Sequence, residues 1–247
     1  MVWRLLLCLL LLVLPACNAK TDPLKTENTI IDWVDFVKLN GKEYNGVYEA
    51  AAASPDAVTD EVVGTVKFRV EGAVTNPGYA TKDGDAAFLQ EGTRLYAVKG
   101  YPDHSLIAAK ADNEVGGYKL YTARNADGKL AHTWSYKDLP AERVTRIDVY
   151  VYSKQADAWQ RFRSLERADT GLFMELLGHG QKKENYWPAV TGGDPKEYRI
   201  VFQTGEPVAH KQSLFRDDNY YYFHPSDTEV LPEEIGRFLT PRMPQSS

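Results

Sequence analysis

Two acids astride a glycine, Asp83-Gly84-Asp85, form the pattern in this 247-residue chain that reads most directly as a cation or ligand loop. Calcium takes carboxylate oxygens from alternate positions of a loop, and an EF-hand continues with further Asp or Asn and closes on Glu. Here Ala86, Ala87 and Phe88 follow instead. The alternative is a turn in which each Asp accepts neighbouring backbone N–H groups. Thr81–Ala87 is therefore the candidate ligand or partner loop, with Asp83 and Asp85 as its binding groups. The five histidines, His104, His132, His179, His210 and His224, have no metal-ligand spacing, so neither a metal nor a cofactor is expected. There is no His-Glu-x-x-His, Gly-x-Ser-x-Gly or phosphate-binding glycine loop. Glycoside cleavage needs two carboxylates facing each other at about 5–9 Å, and the 34 Asp and Glu residues single out no pair. No catalytic residue is assigned. Tyr220-Tyr221-Tyr222-Phe223-His224 is either core-packed strand or an aromatic platform for sugar or peptide. Gln181–Asp194 is a long irregular loop with no nameable chemistry.

The other chemically marked residue is Cys17. Arg4 supplies a positive start, Leu5–Leu14 is an apolar run of ten residues, and Pro15-Ala16 precede the cysteine. Ten helical residues span about 15 Å, half of a roughly 30 Å hydrocarbon core, so the run fits a signal peptide and not a membrane span. Leu14-Pro15-Ala16-Cys17 resembles the bacterial lipobox, with Leu at −3, a small residue at −1 and Cys at +1. Pro15 departs from the usual Ala, Ser or Thr at −2. The resemblance implies cleavage after Ala16 and a diacylglyceryl group on the Cys17 thiol. Two acyl chains hold a protein on a bilayer where one does not. Cys8 leaves with the leader, so the folded body is expected to hold no disulfide and no thiolate.

Without residues 1–16 the chain has 28 Lys and Arg against 34 Asp and Glu, a net charge of −6. That balance disfavours nucleic acid as a partner. The partners expected are the membrane, through lipid on Cys17, and an envelope protein or wall component.

The elements that must position these groups are mostly strands. Residues 17–30 read as a polar tether. Trp33–Leu39, the hairpin signal Asn40-Gly41 and a return strand to Tyr48 follow, the return interrupted at Asn45-Gly46. Ala50–Asp60 reads as a surface loop. Val62–Val70, Arg94–Val98, Leu106–Ala111 and Tyr118–Ala123 read as strands. After residue 138, Val144–Ser153 pairs with Trp159–Leu165. Asp169-Thr170 cap a helix to Leu177 that stops at Gly178, and a three-strand meander runs from Tyr198 to His224. Pro232-Glu233-Glu234 start a last helix ending near Leu239. The fold class is α+β: a mostly-β domain over 31–138, then a smaller α+β domain over 139–247 ordered β-β-α-β-β-β-α.

Lys82–Leu89, Glu91-Gly92-Thr93 and Tyr96–Tyr101, with Trp33–Gly41 and Leu231–Glu234, resemble segments of predicted lipoproteins from Bacillus-like Gram-positive bacteria. That group carries no assigned activity, so the resemblance implies a place on the extracytoplasmic membrane face and no mechanism. The function expected is non-catalytic binding or a structural role in the envelope. A carboxylate-dependent hydrolase of wall polymer is the alternative, and a β edge that completes a partner is a third reading.

Overall fold

The hairpin signal at Asn40-Gly41 is met residue for residue. Both have positive φ, 51° and 74°, as a type I′ turn requires, and they join β1 (Phe36–Leu39) to β2 (Lys42–Val47). The computed structural model describes residues 31–223 and 229–240. The leader, Cys17 and the tether lie outside the described residues, as does His224. No helix among the described residues is long and apolar enough to cross a membrane.

The described residues are mostly β, with two sheets and few helices. After β3 (Ala50–Ala52) come β4 (Val58–Thr65), β5 (Phe68–Arg69), β6 (Asp85–Ala86), β7 (Arg94–Val98), β8 (Leu106–Lys110) and β9 (Tyr118–Ala123). The first sheet runs β4-β7-β8-β9-β2-β1-β6-β5. Its two end strands, β4 and β5, are separated in sequence by Val66 and Lys67 alone. Val66 N–H donates to Thr93 O at 2.9 Å and Lys67 N–H to Gly84 O at 2.8 Å. The sheet therefore curls round on itself. Val37, Tyr44, Leu95, Ile107 and Tyr121 fill the inside, while Leu106, Ala108 and Leu120 are buried on the outside. Burial on both faces is why Leu106–Ala109 is continuously apolar rather than alternating.

The second sheet contains β10 (Arg146–Ser153), β11 (Ala158–Glu166), β12 (Gln181–Lys182), β13 (Lys196–Gln203), β14 (Val208–Arg216), β15 (Tyr221–Tyr222) and β16 (Glu229–Leu231). Its order is β11-β10-β13-β14-β15-β16-β12. The helices α1 (Ala168–Gly178) and α2 (Gly236–Leu239) join its core, Phe173, Leu177 and Phe238 packing with Ile147, Val149, Tyr198 and Phe202.

Four expectations are corrected. Ala50–Ala52 is a fully buried strand, not surface loop: β3 pairs antiparallel with β14 and so carries the first half of the chain into the second sheet. Alanine is small enough to sit there, between the outside of the first sheet and the face of the second, where a larger side chain would separate them. Asn45-Gly46 does not interrupt β2; Gly46 is there because a Cβ would overlap the Asp35 carboxylate. The order after residue 138 is not β-β-α-β-β-β-α, since the short strands β12 and β16 are added and β3 is borrowed. The helix α1 begins at Ala168 with Arg167 at the N-cap, its φ at 47°. Thr170 Oγ1 donates to Leu165 O at 2.7 Å, Gly178 is inside the helix, and His179 ends it.

Candidate functional site

The strand β14 carries a polar run, His210-Lys211-Gln212-Ser213, in the middle of a sheet, held by β13 on one side and by β3 on the other near Ala50. Side chains of a strand alternate between faces. His210 and Gln212 share one face of the sheet, and Lys211 and Ser213 the other. His210 lines a cavity of its own; of the two others at the seam between the sheets, one meets Gln212 and one meets Lys211 and Ser213.

The largest is a cleft of about 460 Å³. Val47, Leu130, Trp134, Tyr136 and Phe223 supply apolar and aromatic wall. The polar side chains are His132, Thr133, Ser135, Lys137, Gln212 and Glu49, the last being the one carboxylate among its lining residues. Lys137 Nζ lies 3.0 Å from Glu229 Oε2, and Tyr136 donates to the same oxygen at 3.3 Å. Leu130 stays 38 % exposed at the rim, so apolar surface reaches solvent there.

His132 is held by its neighbours. Its ring lies edge-on to Tyr101, with centroids 4.9 Å apart, and is tilted against Trp134. Its Nε2 lies 2.7 Å from Ser105 Oγ, and Ser105 Oγ–H donates to Asp103 Oδ1 at 2.8 Å. The Ser105 hydroxyl and backbone N–H hold the Asp103 carboxyl below its ordinary range, which keeps it an acceptor. If Ser105 gives its proton to Asp103, the contact is made by the Nε2–H tautomer of His132, donating to Ser105 Oγ. Nδ1 is then left with an acceptor lone pair. The order is Asp–Ser–His, so the carboxylate orients the serine rather than the histidine. In a catalytic triad the carboxylate contacts the histidine instead, so this row is not that arrangement.

On the other face of β14, Lys211 and Ser213 line a chamber of about 110 Å³ with Glu114, Arg199, Lys119 and Tyr118. The Lys211 side chain is 10 % exposed, and its Nζ is 3.8 Å from Glu114 Oε2. Arg199 pairs with Glu114 and stacks on Trp159, its guanidinium 4.0 Å from the ring centre. Ser213 Oγ donates to Glu197 at 2.7 Å. Burial, and then the Arg199 charge, push the Lys211 ammonium down to about 8, against the raising effect of Glu114, Glu49 and Glu197.

The sequence-predicted loop is elsewhere. Both Asp83 oxygens accept from Gly41 N–H, at 2.9 and 3.0 Å, across to the hairpin. Asp85 is buried and accepts from Tyr79 O–H at 2.9 Å and Lys82 N–H at 2.8 Å. Lys38 Nζ reaches Thr81 O at 3.0 Å. Only the Lys82 N–H bond to Asp85 is local to the loop, Asp83 tying it across to the hairpin instead, and neither aspartate lines the cleft or the chamber. Among the described residues no group of three His, Cys, Asp or Glu is placed to hold a metal ion.

The aromatic run is packed: Tyr221, Tyr222 and Phe223 are 4 % exposed or less, and His224 lies outside the described residues. The loop after β12 is organised by Asp217, which accepts from Ala189, Asn219 and Tyr220 N–H and from Tyr186 O–H. The residues around the two cavities went unselected in the sequence because no local motif joins them. The one legible signal was the four-residue polar run inside a predicted meander strand. Comparison with protein-family models, curated proteins and solved structures gave no match to the chain.

Proposed function

We propose that the protein is a bacterial envelope lipoprotein of the kind predicted in Bacillus-like Gram-positive species, held on the extracytoplasmic membrane face by lipid on Cys17. Its role is to bind a small amphipathic ligand without transforming it. The observation that carries this reading is the 460 Å³ cleft, with aromatic and aliphatic walls and a few convergent polar groups, which is the usual make-up of a small-molecule site. His132, held by Ser105, Tyr101 and Trp134, is a polar group of that wall for a ligand to meet. The anchor rests on Leu5–Leu14 and on Leu14-Pro15-Ala16-Cys17.

Two measurements on detergent-extracted protein test it. Small molecules released on denaturation are identified by mass spectrometry, for wild type and for Thr133→Trp, which places an indole in the cleft from an exposed position. Fatty-acid labelling is compared between wild type and Cys17→Ser. A molecule released by wild type alone, with label on wild type alone, is the expected result. Identical release from the two cleft proteins overturns the ligand, and equal labelling overturns the anchor.

A further inference from the structure

We propose that Lys211 is a carbonyl-reactive lysine whose Nζ, enclosed in the 110 Å³ chamber opposite Glu114, forms an imine with a small aldehyde. The chamber lies on the opposite face of β14 from the Gln212 cleft, and the inference is independent of what that cleft binds.

Three features converge on this nitrogen. The first is enclosure. The Lys211 side chain is 10 % exposed, whereas Lys110 and Lys129 are 66 % and 81 % exposed. The chamber holds the volume of about four waters, which admits a short aldehyde and excludes a large one. The exposed ring of Tyr48 stands at its edge.

The second is access to the free amine. Imine formation requires the neutral nitrogen, and a lysine serves when desolvation or a neighbouring cation weakens its hold on the proton. Burial and Arg199 do both, bringing Lys211 to about 8. At pH 7 about one molecule in ten then carries a neutral amine, against fewer than about one in a thousand for an exposed lysine.

The third is the fit of the product. A protonated imine keeps one positive charge on the same nitrogen, so the pair with Glu114 at 3.8 Å persists. A carbamate formed with carbon dioxide would instead place negative charge beside Glu114, with Glu49 and Glu197 also near, and only Arg199 and Lys119 to oppose them. Charge therefore selects an aldehyde.

The step balances without an oxidant. The Nζ lone pair attacks the carbonyl carbon and forms the C–N bond. The carbonyl oxygen leaves as water with the two hydrogens of the neutral amine, and C=N remains.

The test uses the full chain in detergent, propanal and cyanoborohydride at pH 7, followed by peptide mass mapping over short times. Lys211 is expected to gain a propyl group at least about tenfold faster than Lys110 or Lys129. Lys211→Arg loses that modified peptide. In Glu114→Gln the acid that favours the ammonium is gone, so labelling of Lys211 at pH 7 rises. The wild-type competition between lysines needs no variant to fold. Labelling of Lys211 no faster than Lys110, or only after urea is added, overturns the proposal.

Discussion

Ala51 of β3 lies directly opposite Ala209 of β14, and both side chains are buried, at 1 % and 0 % exposure. The two methyl groups sit in one small buried cluster with Val115 and Val201, where the pairing of β3 with β14 ties the first half of the chain to the second sheet. Ala51→Leu adds three carbons where there is no room, and is expected to lower stability by about 1–3 kcal/mol. Urea unfolding followed by tryptophan fluorescence and by far-ultraviolet dichroism checks it. A midpoint equal to wild type would mean that the seam yields.

Gly116 and Gly117 offer a matched pair. Their φ values are 78° and 77°, so alanine strains the backbone equally at both. A Cβ on Gly116 would also overlap the carbonyl oxygen of Ala52, whereas Gly117 has open space. Gly117→Ala is expected to cost about 1 kcal/mol, and Gly116→Ala about 1–3 kcal/mol more. The difference between the two thermal melts reads the closeness of β3 directly, and equal melts would refute that closeness.

Asp85→Ala removes a buried acceptor from Tyr79 O–H and Lys82 N–H and should cost about 1–3 kcal/mol. Asp83→Ala releases only an exposed contact to Gly41 N–H and should cost less than about 1 kcal/mol. Calcium at millimolar concentration should leave the wild-type melt unchanged. A calcium-dependent rise in wild type that disappears in Asp83→Asn, Asp85→Asn would show that the loop binds the cation after all.

Acid should act on stability in two separate windows. Burial pushes the His210 imidazolium below 6.5, with Arg143 assisting, and this outweighs the Ser135 and Trp134 backbone groups that favour it. The unfolded chain then takes up this proton at a higher pH than the folded one, so stability falls as pH drops below about 6.5. For Asp217, burial would raise the carboxyl, but the Tyr186 hydroxyl and three backbone N–H groups hold it below 3.8. Its stabilisation is complete above about 3.9 and is lost as pH falls further. His210→Gln should flatten the urea midpoint between pH 7 and 5. Asp217→Asn should flatten it only below about pH 4. Unchanged slopes in both variants would contradict these assignments.

Local signals were legible where one short stretch decides the structure. Asn40-Gly41 fixes its hairpin because both positions need positive φ. Leu172-Phe173 and Leu176-Leu177 fix α1 because the helical period places them on one side. Ala50–Ala52 was not legible: three alanines carry no strand propensity, and only the distant Val208–His210 makes them a strand. The seam cavities were hidden for the same reason. Glu114, Arg199 and Lys211 belong to three separate parts of the chain, and only the fold sets their charges together. Asp83 and Asp85 are a local pattern in the sequence, yet Asp83 is bonded to Gly41 N–H of the distant hairpin and only Asp85 takes a neighbouring N–H, from Lys82.

The pairing of Ala52 with Val208 also sets an order of events. The two residues are 156 positions apart, and contacts of such separation form late because a long loop must close first. During synthesis the first sheet can curl through its own short connections while Ala50–Ala52 still has nothing to pair with. Until β14 is made, that small, uncharged strand is an open edge that another chain could occupy. The segment that later locks the halves together is thus, until its partner is made, an unpaired strand open to misassembly.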